Sequence, residues 1–139
     1  MIEVEVFGQG LAPEAPPYER VRALCELAAR SRGVADGHVA IEYVPAARIA
    51  ALNERHRGKA GPTDVLSFPI DGAGPAGPDG SHAPRELGDV VICPAQTADL
   101  EEAVVHGMLH LLGMDHETDE GEMLALQDEL MARSRPPEP

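Results

Sequence analysis

The feature that most limits how this chain can fold is the run His106-Gly107-Met108-Leu109-His110-Leu111-Leu112-Gly113-Met114-Asp115-His116. His106 and His110 are four residues apart. On a helix, at about 100° per residue, that spacing puts both rings on one face, one turn apart. Gly113 then supplies a residue that takes positive φ freely, which ends the helix and reverses the chain. His116 can come back over the same face. Three of the chain's six histidines fall within these eleven residues. Three neutral imidazoles with an open fourth position describe a catalytic zinc site, where the metal lowers the pKa of bound water to about 7 and polarises a substrate oxygen. The expectation is one Zn2+ per chain, held by His106, His110 and His116. A lone histidine is usually a hydrogen-bonded structural residue, and His38, His56 and His82 are read that way because none stands in such a pattern.

Hydropathy patterning supplies the frame around this run. Ile2, Val4 and Val6 alternate with Glu3 and Glu5, which predicts a half-buried strand. Pro16 and Pro17 open a helix from Tyr18 to Arg32, with Val21, Leu24, Cys25 and Ala28 at helical spacing and Gly33 as its stop. A second strand runs from His38 to Val44, and a helix from Pro45 to about His56. VLSFPI, Val65 to Ile70, predicts a third strand, with Pro69 marking an edge or a strand end. Leu87 to Cys93 is a fourth. Pro94 to Leu112 is expected as one long helix, and Thr118 to Arg133 as another with Thr118 as its N-cap. The segment Asp71 to Pro84, rich in Gly and Pro, is expected as a flexible surface loop, and the final residues 136–139 as a disordered tail. The order is βαβαββαα. It predicts an α+β fold with a small mixed sheet of about four strands packed with helices, and the metal site on a helix in the C-terminal half. At 139 residues the chain is one domain's worth, taken as 1–135.

Composition narrows the function. Asp and Glu number 24 against 11 Lys and Arg, for a formal charge of −13. That excludes a uniformly basic nucleic-acid binder and a polybasic membrane anchor. Any polyanionic partner must meet a local basic patch. With two Tyr, two Phe and no Trp, a module that stacks bases on several rings is disfavoured. Cys25 and Cys93 form no CxxC and are read as reduced, partly buried thiols. No stretch approaches the ~18 apolar residues a membrane span needs, and MIEVEVFGQG lacks the basic start of a signal peptide. The expectation is a soluble cytoplasmic protein.

One window opposes the acidic balance. Arg48, Arg55, Arg57 and Lys59 lie within twelve residues with only Glu54 against them, a local charge of +3. Lys59 is the only lysine. These residues either finish a helix, whose C-terminus favours cations, or face the metal and supply the positive field that RNA needs. The sequence alone leaves both readings open.

The spacing HxxxHxxGxxH is that of the metzincin proteases, which place Glu after the first His as general base. Gly107 stands there instead, so no carboxylate is available for peptide hydrolysis by that route. A phosphodiester needs charge neutralisation by a metal and a cation.

HGMLHLLGMDH, preceded by LNERHRGKAGPTDVLSFP and LGDVVIC, closely resembles the YbeY family, bacterial rRNA maturation factors described as metal-dependent single-strand endoribonucleases. The blocks cover roughly positions 51 to 116. The resemblance implies that His106, His110 and His116 bind zinc and that Arg57 is the functional basic residue of the cleft. It implies processing of 16S rRNA, notably its 3′ end, and late 70S ribosome quality control, with single-stranded rRNA and the ribosome as partners. Ala60-Gly61 replaces a more typical charged pair after RGK, and the 71–84 loop is long for such a domain. Thr63, Asp64 and Ser67 fall in the matched block, where Thr-Asp also suits an ordinary turn. Asp115 either orients the site from behind the ligands or stabilises the turn. Two other readings remain: a metalloprotease-like zinc hydrolase with an unusual base, which Gly107 opposes, and a ribosome assembly factor with structural zinc, which needs a fourth ligand such as Asp115.

Overall fold

Apolar residues at every second position of the N-terminal segment make a strand with one buried face, β1 (Ile2–Phe7). The computed structural model describes residues 1–71 and 85–134. In it β1 is followed by α1 (Tyr18–Ser31), β2 (Gly37–Tyr43), α2 (Ala46–Arg57), β3 (Val65–Pro69), β4 (Glu86–Ile92), α3 (Leu100–Leu111) and α4 (Glu122–Ser134). The strands form one mixed sheet in the order β1-β2-β4-β3, and only β3 runs antiparallel to its neighbour. The expected α+β architecture is therefore present. β3 pairs on one side only, which accommodates Pro69 at its end.

The sheet is covered unequally. Ile2, Val4, Val39, Ile41, Leu87, Val90 and Ile92 pack against α1, α3 and α4 in the main core. On the other face α2 covers only a smaller cluster of Val44, Ile49, Leu52, Leu66, Val91 and Cys93. Both cysteines are free and buried, and burial pushes the Cys25 thiol up to about 12.

Two helix boundaries differ from the expectation. The stretch from Pro94 is not one helix. It makes a 3-10 turn at Pro94–Gln96, passes through an extended Thr97, and restarts as α3 at Leu100. Hydrogen bonding explains the break. Cys93 O accepts from Gln96 N and from the Thr97 hydroxyl at 2.7 Å, and the Asp99 carboxylate caps α3 by accepting from Glu102 N at 3.1 Å. Nor does Thr118 cap the last helix. Thr118 N and Asp119 N both donate to Asp115 O, holding a turn, and α4 starts at Glu122. Asp119 takes the capping role, accepting from Met123 N at 2.9 Å. Residues 72–84 and the tail 136–139 lie outside the described residues.

The packing of α3 on β4 is close. A Cβ at Gly107 would lie 2.4 Å from Val90 Cγ1, so this contact admits only glycine. Alanine at a helix-interior glycine ordinarily gains about 1 kcal/mol. Here Gly107→Ala is expected to lose about 1–3 kcal/mol in urea unfolding, through overpacking. The double variant Gly107→Ala/Val90→Ala should lose less than the two singles added; strict additivity would contradict the contact.

On the open face His38 of β2 bridges its neighbours, with Nδ1 2.8 Å from a Glu86 oxygen and Nε2 2.7 Å from a Glu5 oxygen. The hydrogen bond to Glu86 raises its pKa above the ordinary imidazole value, with Glu5 adding to the effect and burial opposing it. A raised folded-state pKa gives stability that is present below the ordinary value and lost as pH rises through the raised one. The difference in urea midpoint between the natural chain and His38→Gln should therefore be larger near pH 6 than on the alkaline side. A pH-independent difference would contradict the bridge.

Candidate metal centre

α3 is buried on nearly every side. Ala103, Val104, Val105, Gly107, Met108, Leu109 and Leu111 are all buried, whereas His106 and His110 are partly exposed. The two histidines occupy the strip of the helix that meets solvent. Gly113, at φ 95°, closes the helix, with its N–H bonded to His110 O and the Met114 N–H to Leu109 O. The reversal brings His116 back as the sequence suggested. Ring centroids are 4.8 Å apart for His106–His110, 5.0 Å for His106–His116 and 5.2 Å for His110–His116. Their candidate ligand atoms all lie within 4.8 Å of one another.

Hydrogen bonds behind the rings fix the tautomers. His106 Nδ1 donates to Gln127 Oε1 at 2.8 Å, and His110 Nδ1 donates to Met114 O at 3.0 Å. Both partners only accept, so each Nδ1 carries the proton and each Nε2 keeps its lone pair. His116 Nδ1 is buried with no hydrogen-bond partner. Burial, then the neighbouring His106 and His116, lower the His110 pKa and favour the neutral ring. Two Nε2 lone pairs gathered beside a buried ring nitrogen that has no hydrogen-bond partner fit a divalent metal.

Arg57 reaches the turn that carries His116. It is the last residue of α2, and its Nη2 donates to Glu117 Oε1 at 3.3 Å, beside His116. Arg48, Arg55 and Lys59 are exposed and pair with no carboxylate among the described residues. Ser67 Oγ donates to Gly107 O at 2.9 Å, tying β3 to α3 next to His106. Thr63 and Asp64 lead into β3, with Asp64 Oδ1 accepting from the Thr63 hydroxyl at 3.3 Å and from Val65 N at 2.8 Å. Asp115 also serves a turn: its Oδ1 accepts from Glu117 N at 3.0 Å. His56 lies edge-on to Phe68, with centroids 4.9 Å apart, and His82 is outside the described residues.

Three contributors escaped the sequence reading. Gln127 carried a usable signal, as a polar residue among Met123, Leu130 and Met131 on the buried face of α4. Buried Asn53, whose Nδ2 donates to Gly61 O at 3.0 Å, fastens the loop after Arg57. Glu117 stood in a run of acids with nothing to single it out.

Comparison with known proteins fits this geometry. The family model described as "Endoribonuclease YbeY" matches residues 15–135. The chain belongs to the YbeY family. It is 42% identical over 130 residues to the Endoribonuclease YbeY of Nocardioides sp., covering 78% of this chain and 87% of the relative. The Endoribonuclease YbeY of Rubrobacter xylanophilus is 41% identical over 138 residues, covering 95% and 96% of the two chains. The solution structure of TM1509 from Thermotoga maritima superposes with a TM-score of 0.55 at 25% identity, covering 94% of this chain and 88% of that one. The YbeY match takes in the histidine cluster, Arg57 and Gln127 together. Among the described residues no helix is long and apolar enough to cross a membrane.

Gln127 orients His106, so its loss should act on the metal. Gln127→Leu is expected to weaken zinc affinity about 10- to 100-fold in a competing-chelator titration while the chain stays folded. Unchanged affinity would remove Gln127 from the centre.

Proposed function

We propose that this YbeY chain is a zinc-dependent endoribonuclease, a single domain over 1–135 that cuts single-stranded rRNA in the cytoplasm. The same reading assigns it to maturation of the 16S rRNA 3′ end and to late 70S ribosome quality control. The observation that carries it is the cluster of three imidazoles, one with a buried ring nitrogen that has no hydrogen-bond partner, at the turn that Arg57 reaches through Glu117, in a chain whose relatives are named endoribonucleases. His106, His110 and His116 hold the metal. A bound zinc ion supplies Lewis acidity toward a phosphoryl oxygen. Gln127 and the Met114 carbonyl keep His106 and His110 turned so that Nε2 faces the centre. Arg57 grips the phosphate, since its planar donors match two phosphate oxygens and stay charged at any working pH. Asp115 is engaged in its turn, which disfavours it as the fourth ligand of a structural site. Position 107 faces Val90 and offers no base, which disfavours peptide hydrolysis.

The direct test is bound-metal analysis of the purified protein, followed by single-stranded RNA and casein assays with and without chelator. About one zinc per chain, chelator-sensitive RNA cleavage and intact casein are expected. Full zinc in His116→Ala, or chelator-sensitive casein cleavage, would overturn the reading. Arg57→Ala should lower kcat by roughly 30- to 1,000-fold, about 2–4 kcal/mol, with zinc content and folding unchanged. Arg57→Lys should recover part of this. Equal activity of Arg57→Ala and Arg85→Ala, an arginine outside the basic window, would exclude Arg57 from the chemistry.

A further inference from the structure

The turn between α3 and α4 is the most acidic part of the metal centre. Asp115, Glu117, Asp119, Glu120 and Glu122 lie within eight residues, directly around His116. Three of these carboxylates already hold the backbone. Asp115 accepts from Glu117 N, Asp119 from Gly121 N and Met123 N, and Glu122 from Glu120 N. Glu117 is different: its carboxylate meets Arg57, sixty residues away in sequence. At 3.3 Å, with side chains 36% and 56% exposed, the pair adds little to stability. Its effect lies in placement. One carboxylate draws the guanidinium toward the turn that carries His116, and the same carboxylate stands where a polyanion must arrive.

We infer that Glu117 is a displaceable counter-ion for Arg57, which it holds at the histidine turn in the free protein and yields to a phosphate of single-stranded RNA. Glu117 is thus a positioning residue that sets the affinity threshold for RNA. The inference rests on the proposed role of Arg57. An RNA phosphate replaces the carboxylate on the guanidinium and must also tolerate the freed charge nearby. Removing that charge while keeping the side chain's shape should therefore tighten binding, an effect opposite to the usual loss from breaking an ion pair.

The experiment is fluorescence anisotropy with a labelled, unstructured RNA oligonucleotide, on protein as purified and after chelator treatment. Glu117→Gln is expected to bind about three- to tenfold more tightly than the natural chain, with the gain shrinking as salt rises. In steady-state assays the change should fall on KM rather than kcat. Glu117→Asp keeps the charge and should stay close to the natural chain. Glu120→Gln removes a carboxylate from the same turn that pairs with no cation among the described residues, and should change affinity less than twofold. The gain should vanish in the Arg57→Ala background. An equal gain in Glu120→Gln, or a gain that survives Arg57→Ala, would reduce Glu117 to general charge and overturn the inference. A drop in affinity for Glu117→Gln would overturn it as well. If Arg57→Ala binds RNA as well as the natural chain, Glu117 has no ground-state phosphate contact to contest and the inference is overturned, whereas an unchanged kcat in Arg57→Ala would overturn the proposed role of Arg57 itself.

Discussion

The approach of α3 to β4 governs the rest of the structure. Gly107 lets the helix backbone lie against Val90, closer than any side chain would allow. With α1 and α4 also packed on it, α3 is left one strip that reaches solvent, and His106 and His110 occupy that strip. The site is precise because its helix has nowhere to move. A ligand pair on an exposed helix would carry the same spacing without this constraint. Ser67 adds to it by fastening the edge strand to the Gly107 carbonyl.

Orientation is imposed from behind the rings. Each histidine of α3 gives its Nδ1 proton to an acceptor from a different element: Gln127 of α4 for His106, and the chain reversal at Met114 for His110. The last helix is therefore part of the centre as well as part of the core. The acidic turn between α3 and α4 has two tasks. Most of its carboxylates close backbone N–H groups, while Glu117 faces the one basic end of α2 that the fold brings near. A strongly negative chain thus brings a cation to the turn that carries its third candidate metal ligand by the geometry of one helix end.

Much of this was legible in the residues. Strict alternation gave β1 and β2, and the i, i+4 histidines with Gly113 gave the helix, its stop and the return of His116. The match of RGK and histidine blocks pointed to the family that the comparisons then showed. What stayed hidden has physical causes. The helix expected from Pro94 is broken by side chains of Thr97 and Asp99 bonding to nearby backbone, a local competition that hydrophobic spacing does not register. Thr118 is a good cap by type, but it lies in the turn closed on the Asp115 carbonyl while α4 begins only at Glu122, and the capping passes to Asp119. The contacts of Gln127 and Glu117 link residues 21 and 60 positions apart, and only the fold decides such pairs.

The two cysteines sit in different layers. Cys25 lies in the core shared by α1, α3 and α4, and Cys93 in the smaller cluster beneath α2. Both are buried, so neither thiol meets a reagent until its own layer opens. The chain therefore carries an internal reporter on each face of its sheet. Alkylation that reached Cys93 ahead of Cys25 would mark the α2 layer lifting by itself, and with it Arg57, while the histidine helix stayed in place.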